Sequence, residues 1–442
     1  MQWPSTISQG RAGVHIAGLC SLVAYSYLAW LSQDISRLTL SWFFVVIIPV
    51  FGLMGWVFLQ TRRGGWSLSF ADVLLWAAAF RIAGVWGAPI FEDDFFRYLW
   101  DGYRLYESGD PYSLAPSVFF GDTSVPTTYQ RILDGINYPD IPTIYAPTLQ
   151  LSFLLGHWLT PGDLLGLKLV YVSVDLLLIV VLHKMVASTQ WVLLYAWNPL
   201  VIKEIAFTAH PDGFGVFFLV LTCFYELRGK PWLTMLCLGL SVCAKPFAWF
   251  VAPFILWNVP KRFIPVFVIT VLVLYLPFIL QSSQVLTGLF AFGRDWQFNA
   301  AIFSLLSAWL PIAIAKPLCI SIFLGAFAAY FLRFIKNPTA PVRYDWILAG
   351  LLFFSPVLNA WYWVWVLPFA VLYPSRWVWV ASCTLLLSYV TGINMDDSEL
   401  SAYQIPVWIL ALEYGVIALV MLEDGRVYRR KRTYQQVNLG TD

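Results

Sequence analysis

Phe91-Glu-Asp-Asp-Phe-Phe-Arg-Tyr-Leu-Trp-Asp-Gly-Tyr-Arg-Leu-Tyr-Glu-Ser-Gly-Asp-Pro-Tyr112 is the stretch from which the rest of this chain is read. It is one of the few places where charge collects. Glu92, Asp93 and Asp94 follow an apolar run, and the next fourteen residues carry a helical pattern. Phe95, Leu99, Tyr103 and Tyr106 recur at three- and four-residue steps, as do Arg97, Asp101 and Arg104. The spacing predicts a helix over 95–108 with one aromatic and one charged side, lying in a membrane interface. Gly109 should end it, and Pro111 should prevent it from resuming.

The surroundings of this stretch are those of a membrane. Of 442 residues, 60% are hydrophobic and only 12% are charged. Mean hydropathy is +0.70, and a soluble globular chain carries roughly 25% charged residues. An apolar crossing needs about 20 residues. Runs suited to crossing stand near 13–31, 41–60, 66–89, 164–183, 191–209, 212–228, 231–244, 246–259, 263–281, 317–335, 344–358, 361–374, 377–394 and 404–422. The pairs 231–244/246–259 and 344–358/361–374 are short, as tilted helices or hairpins of half-helices would be. The expected fold is an all-α polytopic bundle of about 12–14 transmembrane helices in a single domain, 1–442. A first extracytoplasmic loop spans 90–142, and a basic cytoplasmic tail spans 425–442, opened by Arg429-Arg430-Lys431-Arg432.

Positive residues orient such a bundle. Arg62-Arg63, His183-Lys184, Lys261-Arg262, Arg376 and the basic tail share one side if 145–158 is a peripheral or re-entrant helix. Both termini are then cytoplasmic. The acids, His210, Asp212, Lys245, the 282–316 loop, Asn359 to Tyr362 and Met395–Leu400 converge on the other side.

Composition excludes other chemistries. A net charge of +2 gives no field for nucleic acid. Six scattered cysteines have neither disulfide nor zinc spacing, and four histidines are too few for a histidine-rich metal site. No cleavable signal peptide is expected, because the first apolar run opens the polytopic series.

The acids either cap the next helix or supply a general base, which must come within about 3 Å of the proton it takes. Three adjacent carboxylates repel, so at least one pKa should rise. Lys203-Glu204 lies in an apolar run, where ionisable groups face the bundle interior. Glu204, His210 and Asp212 are either structural partners or contacts to a sugar or a lipid phosphate. Lys245 either snorkels or neutralises a phosphate. Arg294 is a second phosphate candidate by its bidentate geometry, or a partner of Asp295. Asn299 follows in the same loop. Trp361 and Tyr362 belong to an aromatic belt or wall a sugar or prenyl groove. Asp72, Arg81, Lys168, Asp175, Glu226 and Glu413 read as interior pairs or span ends.

Asp94-Phe-Phe-Arg97-Tyr98-Leu-Trp100-Asp101-Gly102 with Gly109-Asp110-Pro111-Tyr112 resembles the first-loop motif of GT-C superfamily glycosyltransferases, and more narrowly bacterial mannosyltransferase-like members that use polyprenyl-phosphate sugars. Ile144-Tyr145-Ala146-Pro147, the stretch from Asn198-Pro199-Leu200 through Glu204 to His210-Pro211-Asp212, and Trp361-Tyr362 before Pro368 are similar in the same order. The sequence departs at Ala146, where a second proline is common, at Asn359-Ala360, where His-Pro is common, and in having more than one span before the acids, where many relatives have one. The resemblance implies a GT-C-like bundle in which Asp94, with Asp93 as alternative, is the catalytic base. Glu92, Arg97, Tyr98, Tyr145, Glu204, His210, Asp212, Lys245, Arg294, Asn299, Trp361 and Tyr362 are the substrate-binding candidates, and Asp101 may be read as a partner of Arg97 or Arg104. The implied reaction moves a hexose, with mannose favoured, from a polyprenyl-phosphate carrier to an extracytoplasmic lipid or glycan acceptor, with inversion. No cofactor is required and no metal site is expected, although the three acids would suit Mg²⁺ or Mn²⁺. Rival readings are a flippase or secondary transporter, whose site would lie near the midplane between repeated halves, and a polyprenyl-linked glycan ligase or polymerase. No paired halves are evident.

Overall fold

A computed structural model describes residues 5–34, 36–395 and 401–438. Most of the expected outer-face segment Met395–Leu400 and the last four residues of the 425–442 tail lie outside the described residues. Among the described residues twenty α-helices follow one another. The first eight are α1 (Ser5–Ser32), α2 (Leu40–Arg62), α3 (Phe70–Trp86), α4 (Phe95–Ser108), α5 (Thr127–Asp134), α6 (Pro147–Leu159), α7 (Leu165–Met185) and α8 (Thr189–Ala196). Then come α9 (Pro199–Ile202), α10 (Asp212–Leu227), α11 (Pro231–Val242), α12 (Ala252–Asn258), α13 (Ile264–Gln281) and α14 (Thr287–Asp295). The chain closes with α15 (Ile302–Ser307), α16 (Ile312–Lys336), α17 (Tyr344–Phe354), α18 (Leu367–Leu372), α19 (Arg376–Thr384) and α20 (Val407–Asn438). Among the described residues there is no strand, only a single bridge between Phe298 and Val357.

The protein is an all-α polytopic membrane protein. Among the described residues five helical stretches suffice by length and composition to cross a bilayer: Gly10–Ser32, Leu40–Arg62, Leu165–Met185, Lys261–Gln281 and Ile312–Lys336. The last two are only 17% buried, so their apolar flanks are left for lipid, whose chains offer no backbone partners and so favour closed helices. Several expected spans are shorter or broken, and proline is the recurrent cause. Over 246–259, a 3₁₀ turn at Pro246–Phe250 precedes α12, which carries Pro253 in its first turn. Over 361–374, a 3₁₀ turn at Ala360–Trp365 precedes α18 with Pro368. Proline lacks the N–H and clashes with the preceding turn, so each run restarts instead of continuing. The expected pair 191–209 and 212–228 becomes α8, then α9 running into a π turn at Lys203–Phe207, then α10 at 119° to it.

The first three helices deliver the acidic stretch. Ser69 and Asp72 form a capping box at the start of α3, and Arg11 of α1 donates to Asp72 at 2.9 Å. Mid-helix, Arg81 and Asp175 of α7 pair at 2.5 Å with neither side chain exposed. Arg81 also donates to the Ala196 carbonyl, and the Tyr195 hydroxyl donates to Asp175. At the far end Lys168 donates to the carbonyls of Gly84 and Gly87. These belong to the last turn of a helix, where carbonyls lack intrahelical partners and a cation is favoured. The interior pairs and span ends expected for Asp72, Arg81, Lys168 and Asp175 thus lie side by side along α3. Gly84 is needed for that packing: a Cβ there would stand 2.6 Å from that of Ala206 in the π turn.

α4 matches the expected 95–108 and ends at Gly109 in the left-handed region, φ 71°. Its charged side is not turned to water over its first half. Arg97 to Tyr103 are buried all round, under the 137–145 segment and against α6. A Cβ at Gly102 would meet the Phe153 carbonyl at 2.6 Å. Nor does Asp101 pair with an arginine. It accepts from the Thr143 hydroxyl and from Gln150 at 3.0 Å, while Arg97 donates to the carbonyls of Ile141 and Tyr138 and Arg104 lies 4.3 Å over the Phe119 ring. Buried charge needs hydrogen-bonding partners, and here those partners come from the far end of the same loop.

Candidate active site

The site grows from the turn between α3 and α4. The Ser32 hydroxyl accepts from the Ala88 N–H at 2.9 Å, and Phe91 takes a positive φ of 55°. These fix the exit from α3, and the next three residues are the acids. Asp94 stands immediately before α4, yet its side chain makes no cap hydrogen bond. Helix capping therefore does not account for its carboxylate. Instead Asn137 donates to Asp93 at 2.6 Å and, more weakly, to Asp94 at 3.4 Å.

A cavity of about 380 Å³ opens over these groups. Of the expected site residues, Glu92, Asp93, Asp94, Arg97, Tyr145, Lys245, Trp361 and Tyr362 line it. Lys245 donates to both carboxylate oxygens of Asp212 at 2.8 Å and sits 4.7 Å over the Tyr362 ring. An ammonium has three donors, so one remains for a ligand. Asp212 is anchored in turn by the Trp365 indole N–H at 2.7 Å.

The other candidates stand elsewhere. Tyr98, Glu204, His210 and Asp212 are buried behind the wall. The Tyr98 hydroxyl and His210 Nδ1 share a hydrogen bond of 3.0 Å, and the His210 ring stacks on Trp361 at 4.1 Å. Glu204 pairs with Lys203 at 3.1 Å and accepts from the Tyr389 hydroxyl at 2.7 Å. These groups brace the cavity wall and do not face into it. Arg294 has 78% of its side chain exposed and is paired with Asp295, and it does not line the cavity, although Asp295 does. Asn299, with φ 44°, is buried and donates to Glu413 of α20 at 2.9 Å. That bond ties the 296–299 loop to the last helix.

Residues not anticipated from the sequence complete the lining, among them Asn137, Tyr138, Trp296, Phe298 and Tyr403. Asn137 had one available signal, its place in the polar turn Asn137-Tyr138-Pro139-Asp140. Trp296, Phe298 and Tyr403 reach the acids only by chain returns of more than 100 residues.

Electrostatics follow from this burial. Asp94 is pushed up to about 6, mainly by burial and next by the Asp93 charge, against the opposing pull of Asn137, Lys245 and Arg97. Glu92 is held well above the usual carboxylate range by burial and by Asp94, and Asp93 is raised by burial. This is the separation expected when like charges share a low-dielectric site. The three carboxylates offer oxygens within 4.8 Å of one another. They are the group among the described residues that would suit a hard divalent cation.

The fold and site thus define a polytopic helical membrane protein with a carboxylate-lined chamber walled by aromatic rings. The family model described as alpha-(1->6)-mannopyranosyltransferase, N-terminal domain (MptA_B family), matches residues 9–261. That is more than half of the chain, and the protein belongs to this family, a GT-C type of mannosyltransferase. No curated protein and no solved structure matches it. The family makes the protein a glycosyltransferase that takes a sugar donor and an acceptor.

Proposed function

We propose that the protein transfers mannose from a polyprenyl-phosphate carrier to a lipid or glycan acceptor in a single inverting displacement, with Asp94 as general base. The observation that carries this reading is the placement of Asp94. It is partly buried in the same cavity as Lys245, without a capping duty, and burial pushes its pKa up to about 6. A base that ionises near neutral pH combines availability with proton affinity. The Asp94 carboxylate takes the proton of the acceptor hydroxyl. The acceptor oxygen bonds to the anomeric carbon as the bond from that carbon to the phosphate oxygen breaks. The phosphate leaves with the electron pair, and the remaining Lys245 N–H meets its growing charge. Because a phosphate monoester is a good leaving group, the scheme needs no general acid.

The apolar part of the lining, including Ile141, Ile144, Phe292 and Val357, suits the first isoprene units of such a carrier. The positive-residue pattern supports an extracytoplasmic site with both termini in the cytoplasm. Membranes containing wild type, Asp93→Asn or Asp94→Asn, given radiolabelled polyprenyl-phosphate mannose, test the reading. Transfer lost in Asp94→Asn with the protein folded supports it, and normal transfer in both variants removes Asp94 and Asp93 as the base. Uptake of the lipid without covalent transfer by wild type would favour translocation instead.

A further inference from the structure

Next to the first cavity lies a second, of about 820 Å³. Its walls come from the turn between α1 and α2, from the first turn of α2, and from residues 388–395 after α19. None of these segments reaches the first cavity. The two spaces share five lining residues, Glu92, Asp93, Phe298, Trp361 and Tyr403, so these side chains border both.

The two linings differ in kind. The first holds Arg97 and Lys245. Among the described residues no lysine or arginine lines the second, while nine of its residues carry a hydroxyl or amide, among them Ser41, Ser388, Thr391 and Asn394. With Glu92 and Asp93 as its charged groups among the described residues, the second space repels a phosphate. Serine, threonine and asparagine both donate and accept hydrogen bonds, as a sugar hydroxyl does. Trp361 presents an aromatic face at the boundary, stacked from behind by His210.

Resting on the transferase reading above, we propose that this second chamber is the acceptor site, taking the uncharged, hydroxyl-bearing end of a glycan and passing its reactive hydroxyl across the Glu92–Asp93 partition to the donor in the first chamber. The division explains why the acids lie between two spaces instead of at the bottom of one. It also lets the acceptor hydroxyl approach the anomeric carbon from the side opposite the leaving phosphate, as an in-line displacement requires.

The test separates donor from acceptor kinetics. Ser41 is exposed and lines the second chamber alone, so Ser41→Trp narrows that space from a position where the fold tolerates bulk. Thr391→Val removes one hydroxyl at constant volume. Purified protein is assayed with polyprenyl-phosphate mannose as donor and with either free mannobiose or octyl mannoside as acceptor. Slow hydrolysis of the donor by water, in the absence of acceptor, reports the first chamber alone.

The acceptor KM should rise at least tenfold in Ser41→Trp and about threefold in Thr391→Val, with donor KM and donor hydrolysis unchanged. A rise in donor KM, or no change in either constant, overturns the assignment. A parallel loss for both acceptors places the effect on the glycan end. A loss confined to octyl mannoside places it on the lipid tail and overturns the proposal. If wild type neither hydrolyses the donor nor transfers from it, the transferase reading fails first, and the two failures are thereby distinguished.

Discussion

Lowering the pH through 6 should slow transfer by protonating Asp94. The working form of a general base is the ionised one, and burial raises the Asp94 pKa from the usual aspartate range to about 6. Activity is therefore retained above that value and lost as the pH falls through it. A single group titrating at about 6 is about one-eleventh ionised at pH 5 and about ten-elevenths at pH 7, so kcat/KM should fall about tenfold between them. An aspartate at its ordinary pKa would lose under a tenth of its ionised form over the same interval. The assay is initial-rate transfer from pH 4.5 to 8 at donor and acceptor concentrations below KM, with folding checked at each pH. Asn137→Ala removes the hydrogen bonds to Asp93 and Asp94, which favour the charged form, so it should move the acid limb to higher pH. Asp94→Asn should reduce kcat by roughly 10²–10⁴-fold, the usual contribution of a positioned base, and abolish the limb. A profile flat from pH 5 to 8 in wild type, or an unchanged limb in Asp94→Asn, would refute the assignment of the base.

Other outcomes follow from the same geometry. Lys245→Met should raise the donor KM by about tenfold, the scale of one charge-assisted hydrogen bond; Lys245→Arg should recover part of it, and a change confined to acceptor KM would count against the phosphate role. Arg81→Ala or Asp175→Ala leaves a buried charge without its partner and should destabilise by about 3–5 kcal/mol, read as a lower melting temperature in detergent, with both KM values unaltered in the protein that remains folded. Trp361→Ala removes a ring shared by both chambers and should raise both KM values, whereas His210→Ala should mimic it more weakly through loss of the stack. If His210→Ala instead exceeded Trp361→Ala, a direct role for the imidazole would be indicated.

The acidic stretch shows how far the sequence could be followed. The step of three and four residues from Phe95 to Tyr106 and the Gly109-Asp110-Pro111 stop place the helix, because local periodicity and the left-handed freedom of glycine act within a few residues. The apolar runs fix the membrane class, since lipid leaves a hydrophobic helix few alternatives. The side from which Arg97 and Asp101 would be covered was not legible. Alternating charge on a helix ordinarily means water, but here Tyr138, Ile141, Thr143 and Gln150 return to bury both.

Length and patterning alone therefore determined a helical membrane protein with a carboxylate cluster after its third helix. They determined this because hydropathy and helix periodicity are properties of neighbouring residues. Tertiary structure alone decided that Asp94 is spared from capping, that Lys245 is held by Asp212 while Arg294 turns outward, and that two chambers meet at Glu92 and Asp93. Those outcomes depend on contacts between segments separated by tens to hundreds of residues, where packing and desolvation, and not local propensity, set which charge faces the cavity.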